Sequence, residues 1–162
     1  MSDMLTDGQI RVQFVPTVAD PSAPTVAELN AGVDLSCLIT ADGLDVSVDE
    51  EKISIPKLCD TSNAEAPGRA TYGVELTCVR KTDVAEDKAW STLLRGTKGY
   101  LVIRYGVASK TAFAVGDKPV IFPGAAGERK LQKPEANNAV KFASKWFVSA
   151  PPAYDAAVVA GA

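Results

Sequence analysis

The chain has 162 residues, 46% of them apolar and 23% charged, with a net charge of −3 and no histidine. That is the length of one ordinary domain, and its acidic balance argues against a surface that grips phosphates through Lys and Arg. Without histidine there are no His-based triads, general bases or metal ligands, no run approaches the ~18 apolar residues that cross a bilayer, and the start Met1-Ser2-Asp3-Met4 lacks the basic and apolar regions of a secretory signal.

Residues 9–15 alternate Ile10, Val12 and Phe14 with Gln9, Arg11 and Gln13, the period-two pattern of a half-buried strand, which Pro16 ends. Pro16, Pro21 and Pro24 make 16–24 an irregular connector. Thr25 and Glu28 stand at capping-box spacing and Gly32 can supply the stop, so 25–32 predicts a helix of under two turns. A second strand follows over 33–40. From 41 to 70 the chain turns acidic, with Asp42, Asp45, Asp49, Glu50, Glu51 and Asp60 around Lys52, and Gly43, Pro56, Pro67 and Gly68 break it. Apart from a short strand at 52–55 it reads as a long loop, and loops of that length are functional or disordered. Two readings stay open for its acids, a solvated excursion and a surface that meets a partner; composition alone leans slightly to the first.

Residues 71–81 form the cleanest predicted strand, with Tyr72, Val74, Leu76 and Cys78 on one face and Glu75, Thr77 and Val79 on the other. Residues 83–95 read as the main helix. Asp83 and Glu86 are spaced as a capping pair, Ala89, Trp90, Leu93 and Leu94 make its core-facing stripe, and Gly96 follows its end. Further strands are expected at 99–105, apolar on both faces except at Arg104, at 117–122, and at 139–149. In the last, Val140, Phe142, Trp146 and Val148 share the side opposite Lys141, Lys145 and Phe147, and Pro151 and Pro152 stop or bend it. Seven or eight strands joined by turns, with one main helix, imply a mainly β domain: an antiparallel sandwich or partly closed barrel with the helix packed at its side.

The chemistry-bearing motifs are missing. There is no phosphate-binding Gly-rich loop, nucleophile elbow or Cys-x-x-Cys pair, and Gly124-Ala125-Ala126-Gly127 leads into charge rather than into a helix with Lys-Ser/Thr. Cys37, Cys59 and Cys78 are odd in number and match no zinc or redox spacing, so they read as free thiols in a reducing compartment. Paired carboxylates can serve a hydrolase, but the acids here gather in the long excursion, where a solvated or interfacial role fits better. The expectation is a non-enzymatic protein with no cofactor and no metal.

Two stretches carry a resemblance. The opening DGQIRVQFVPTVADPSAPTVAELNAGVDLS (7–36) resembles that of the major tail tube proteins of long-tailed, non-contractile phages of actinobacteria. The series YGVELTCVR (72–80), AWSTLLRG (89–96) and GYLVIRY (99–105) resembles the strand–helix–strand centre of the same family, and the ordered likeness runs over roughly residues 7–150. The resemblance implies a β-sandwich with a flanking helix, six copies per ring, and rings stacked into a tube through which genomic DNA passes to the host. One sheet of each copy would line the lumen, and the six together would form one large barrel. A long loop after the second strand would reach the adjacent ring. Here it maps onto 41–70, with Asp42, Asp45, Asp49, Glu50, Glu51, Lys52 and Asp60 as its contact residues, and 150–162 would be a C-terminal arm of the kind that crosses to neighbours. Implied partners are further copies of the chain, a tape measure protein, tail terminator and tip proteins, and double-stranded DNA passing without specific binding, with no membrane; the implied place is the virion tail, assembled in the host cytoplasm. A neutral to acidic lumen is expected, with Glu75 a candidate to face it. A tube for a contractile injection or type VI-like device would share the fold, and a monomeric β-barrel binding module is the reading from another class.

Overall fold

The computed structural model describes residues 3–161. Eight strands form one antiparallel sheet that does not close: β1 (Ile10–Val15), β2 (Val33–Asp34), β3 (Ile39–Ile53), β4 (Ala66–Val79), β5 (Lys98–Tyr105), β6 (Val120–Ala126), β7 (Lys130–Leu131) and β8 (Lys141–Val148). Their order is β2-β1-β5-β6-β8-β4-β3, with β7 paired to β8 beside β6. Two short helices complete it, α1 (Val26–Asn30) and α2 (Lys88–Thr92). The expected mainly β, antiparallel class is what the chain adopts, as one open sheet.

The sheet curls. β1 and β8 stand three strand spacings apart in the order, ~14 Å in a flat sheet, yet the rings of Phe14 and Trp146 meet edge to face at 5.9 Å between centroids. One face of each half therefore encloses a common core: Val12 and Phe14 from β1, Leu101 and Ile103 from β5, Phe122 from β6, Phe142 and Trp146 from β8, and Val74, Leu76 and Cys78 from β4. The Trp146 indole N–H donates to the Phe122 carbonyl at 3.1 Å, so its one polar atom is satisfied.

A second core lies behind the β1–β5–β6 half, where Val15, Leu29, Val102, Phe113, Ile121, Ala156 and Val158 pack together. This corrects the half-buried reading of residues 9–15. Gln13 is buried, because α1 and the C-terminal segment cover the face it points to. Its amide donates to the Leu29 carbonyl at the end of α1 and accepts from Arg11 Nε at 3.0 Å. Helix α1 itself starts as expected: Thr25 Oγ1 accepts from the Glu28 amide at 3.2 Å, and Glu28 Oε1 accepts from the Thr25 amide at 3.1 Å.

Four other expectations change. The strand at 33–40 breaks, because 35–38 makes a turn that buries Leu35 and Leu38, with Leu38 N–H bonded to the Leu35 carbonyl. The helix over 83–95 shrinks to α2. Asp83 organises a turn, accepting the amides of Ala85, Glu86 and Asp87, and the Asp87 carboxylate is taken by Arg80 at 2.8 Å instead of capping. With the helix over at Thr92, Leu93 stays in the core but Leu94 is exposed, and Trp90 is only partly buried. Val140, expected on the packed side, precedes β8 and is exposed. The strand at 117–122 instead begins at Val120, and β7 was not foreseen.

Candidate assembly surfaces

The acidic excursion read as a loop over 41–70 is mostly two long strands. β3 pairs with β4 from Ile39↔Cys78 to Ile53↔Ala66, leaving only 54–65 as the connection. The run Leu44-Asp45-Val46-Ser47-Val48-Asp49 alternates at period two, a strand signal that acidic composition and glycines masked. Irregularities between Ile39 and Leu44 and between Glu50 and Lys52 bend the hairpin. Gly43 sits in the first, where a Cβ would overlap Thr40 Oγ1 and the Thr77 carbonyl oxygen.

Every residue from 45 to 67 is exposed, so this hairpin is an arm that leaves the body of the protein. The predicted contact residues divide along it. Asp42 stays at the root, where its carboxylate accepts from Thr40 Oγ1 at 3.3 Å. Asp45, Asp49, Glu50, Glu51 and Lys52 lie on β3, with Lys52 paired to Glu65 across the hairpin at 2.9 Å. Asp60 closes a tip turn by accepting the Lys57 amide at 2.9 Å. Sequence reasoning missed the apolar part of the arm: Ile53, Ile55 and Leu58 at its tip are all exposed. It also missed that β3 pairs only with β4 and is thus a long free edge.

The faces of this half-sheet follow from the register. Val46 stands opposite Val74 and Val48 opposite Tyr72, so they prolong the core face beyond the core. The opposite face carries Asp45, Glu75 and Lys145 in one cross-strand row. Glu75 and Lys145 are exposed, and so is Phe147, whose ring lies 5.2 Å from Lys145 Nζ. Among the described residues neither helix nor the C-terminal segment packs on this face. The back of the other half is covered instead. Residues 151–161 return onto their own chain: Ala153 exchanges both backbone hydrogen bonds with Ile121, Val159 bonds Pro24 and Val26, and Ala156 and Val158 are buried.

The buried charges are structural. Arg104 is enclosed, donates to the carbonyls of Ala108, Ala112 and Thr111, and pairs with Asp117 at 3.1 Å. Arg104 and Arg11 both stack on Phe113, pinning the 106–117 segment to the sheet. At the root end of β4, Arg80 and Arg129 lie 3.8 and 4.0 Å from the centroid of the Trp90 ring. Burial pushes the Cys78 thiol up to about 12, while Cys37 and Cys59 are exposed free thiols. Among the described residues no cluster of His, Cys, Asp or Glu could hold a metal ion, and no helix is long and apolar enough to cross a membrane.

No curated protein matches the chain. The model of one family, phage tail tube protein, matches residues 1–161. The family model covers nearly the whole of a chain that shows a projecting arm, a free sheet edge and a bare sheet face, and the chain belongs to the phage tail tube protein family, structural proteins of the virion tail that assemble with copies of themselves into a tube.

Proposed function

We propose that six copies form a ring, that rings stack into the tail tube, and that the tube conducts genomic DNA from capsid to host. The bare face of β8–β4–β3 lines the lumen and the β3–β4 arm reaches the adjacent ring. The observation that carries this reading is the asymmetry of the sheet: one half is covered on both faces, the other only on its core side. A sheet surface left uncovered, with a 15-residue free edge beside it, invites pairing with another chain. Ring closure satisfies that edge.

The lumen face then meets the DNA without holding it. Asp45, Glu75 and Lys145 form a mixed row instead of a basic one, and affinity for phosphate requires clustered cations. At ~0.15 M salt the repulsion from Asp45 and Glu75 acts over about 8 Å, enough to keep the duplex off the wall and no further. The tape measure protein would occupy the same lumen before ejection, and terminator and tip proteins would close the two ends. Electron cryomicroscopy of tubes grown on purified tail initiators tests the reading: six-fold rings with Glu75 facing the bore support it, and a protein that stays monomeric at high concentration with initiators present refutes it.

A further inference from the structure

The bare half-sheet has two ends, and their charges oppose. The arm, residues 45–67, holds six acids against Lys52 and Lys57, a net −4. At the other end β7 and the segment leading to β8, residues 129–141, hold four bases (Arg129, Lys130, Lys133 and Lys141) against Glu135, a net +3. The register fixes their separation. Lys141 stands opposite Val79 at the root of β4, and Ala66 lies 13 residues away at the far end of that strand, about 43 Å at ~3.3 Å per residue. Each end also shows apolar side chains to solvent, Ile53, Ile55 and Leu58 on the arm and Leu131 and Val140 on the basic ledge. The ledge carries a shallow groove bordered by Gln132, Lys133, Asn138, Val140 and Lys141.

We propose that the arm of one copy docks on the basic ledge of a second copy in the next ring. Ile53, Ile55 and Leu58 pack against Leu131 and Val140, while the arm carboxylates of Asp49, Glu50 and Glu51 face Lys130, Lys133 and Lys141. The inference rests on the tube reading above and supplies the receptor which that reading leaves unnamed. Three arguments select this partner. Donor and acceptor are different surfaces at opposite ends of one sheet, so the contact is heterologous and repeats without closing, as a filament requires. Arm against arm places like charges together, and so does ledge against ledge, which disfavours both. The apolar tip needs a partner with exposed apolar surface inside a ring of opposite charge, and the ledge offers both.

The test is a charge exchange in the full-length protein, assembled on purified tail initiators. Lys130→Glu with Lys133→Glu, and separately Asp49→Lys with Glu51→Lys, are each expected to shorten tubes at least tenfold by negative-stain microscopy. Combining the four substitutions is expected to restore most of the length. All four positions are exposed, and circular dichroism checks that each variant folds. Wild-type assembly by either reversed variant overturns the pairing, as does failure of the combination to restore length, while the tube reading stands in both cases. Wild-type protein that forms no tubes with initiators removes the tube reading and the pairing with it.

Discussion

Replacing Ile55 and Leu58 by serine separates assembly from folding. Ile55 is 76% exposed and Leu58 fully so in the single chain, and neither belongs to either core. The variant should therefore unfold within ~0.5 kcal/mol of wild type, as surface substitutions away from special features do. In the proposed stacked tube both side chains would become buried. Full burial of Leu or Ile is worth about 1.5–3 kcal/mol, so the pair contributes about 3–6 kcal/mol per contact before ordering costs reduce it. At ~1.4 kcal/mol per tenfold, the critical concentration for tube growth should rise by at least about 100-fold. Sedimentation of assembled tubes across a concentration series, beside urea unfolding of the unassembled protein, measures both quantities. Growth at the wild-type concentration would refute the reasoning. So would a stability loss above ~1 kcal/mol, which would mean that the tip packs on its own chain.

Three further outcomes follow from two buried groups and one helix cap. Arg104→Met removes the donor to three carbonyls and the partner of Asp117. It should cost about 3–5 kcal/mol in urea unfolding, with protease cleavage appearing first within 106–117; unchanged stability would show that Phe113 alone pins the segment. Native protein at pH 8 should react with a thiol reagent at Cys37 and Cys59 but at Cys78 only after denaturation, since burial holds that thiol neutral to about 12; three fast thiols would contradict the packing. Hydrogen bonds from the Ala19 amide and from Thr25 hold the Glu28 carboxyl below its ordinary value. Its contribution is complete above the unfolded value of 4.5 and fades as pH falls through the lower folded one. Glu28→Gln should flatten that acid limb, and an unchanged pH profile would remove the capping carboxylate from the account.

The strands were largely legible because most are period-two or wholly apolar runs. β4, β5 and β8 lie close to their expected places, and the inward set Val74, Leu76, Cys78, Phe142 and Trp146 is the one that alternation picks out. The capping box of α1 was legible for the same reason, being purely local. The failures were non-local. Gln13 and Arg104 look solvent-directed in sequence, yet the first is covered by α1, where its amide donates to the Leu29 carbonyl, and the second by the 106–117 segment, where it donates to the carbonyls of Ala108, Thr111 and Ala112 and pairs with Asp117. Residues 83–95 carry a helical stripe, but Arg80 takes the carboxylate of Asp87 and the helix keeps one turn and a half. The arm was hidden by its composition, since acids and breakers are what loops contain, although Leu44 through Asp49 already alternate. Nothing in the sequence marks Ile53, Ile55 and Leu58 as exposed. That follows from the hairpin outrunning the core it starts on.

A single chain cannot surround a duplex. Barrels of about 16–18 strands enclose only a water channel, and this chain has eight strands in a sheet that folds onto its own side chains. Its two halves resolve the problem differently. β1, β5 and α1, with the returning C-terminal segment, make a body whose faces are both filled. The half holding β8, β4 and β3, with the two-residue β7 paired beside β8, gives four strand positions outside the covered half. Six copies offering four positions each would reach about 24 strands, above the water-channel range, and the bore grows roughly linearly with strand number. The same half carries the acidic arm at one end and the basic ledge at the other. In the proposed tube, ring closure and ring stacking would draw on one element, the edge of β3 sideways and its tip lengthwise. A change in the tip would then stop growth along the axis while leaving single rings able to form.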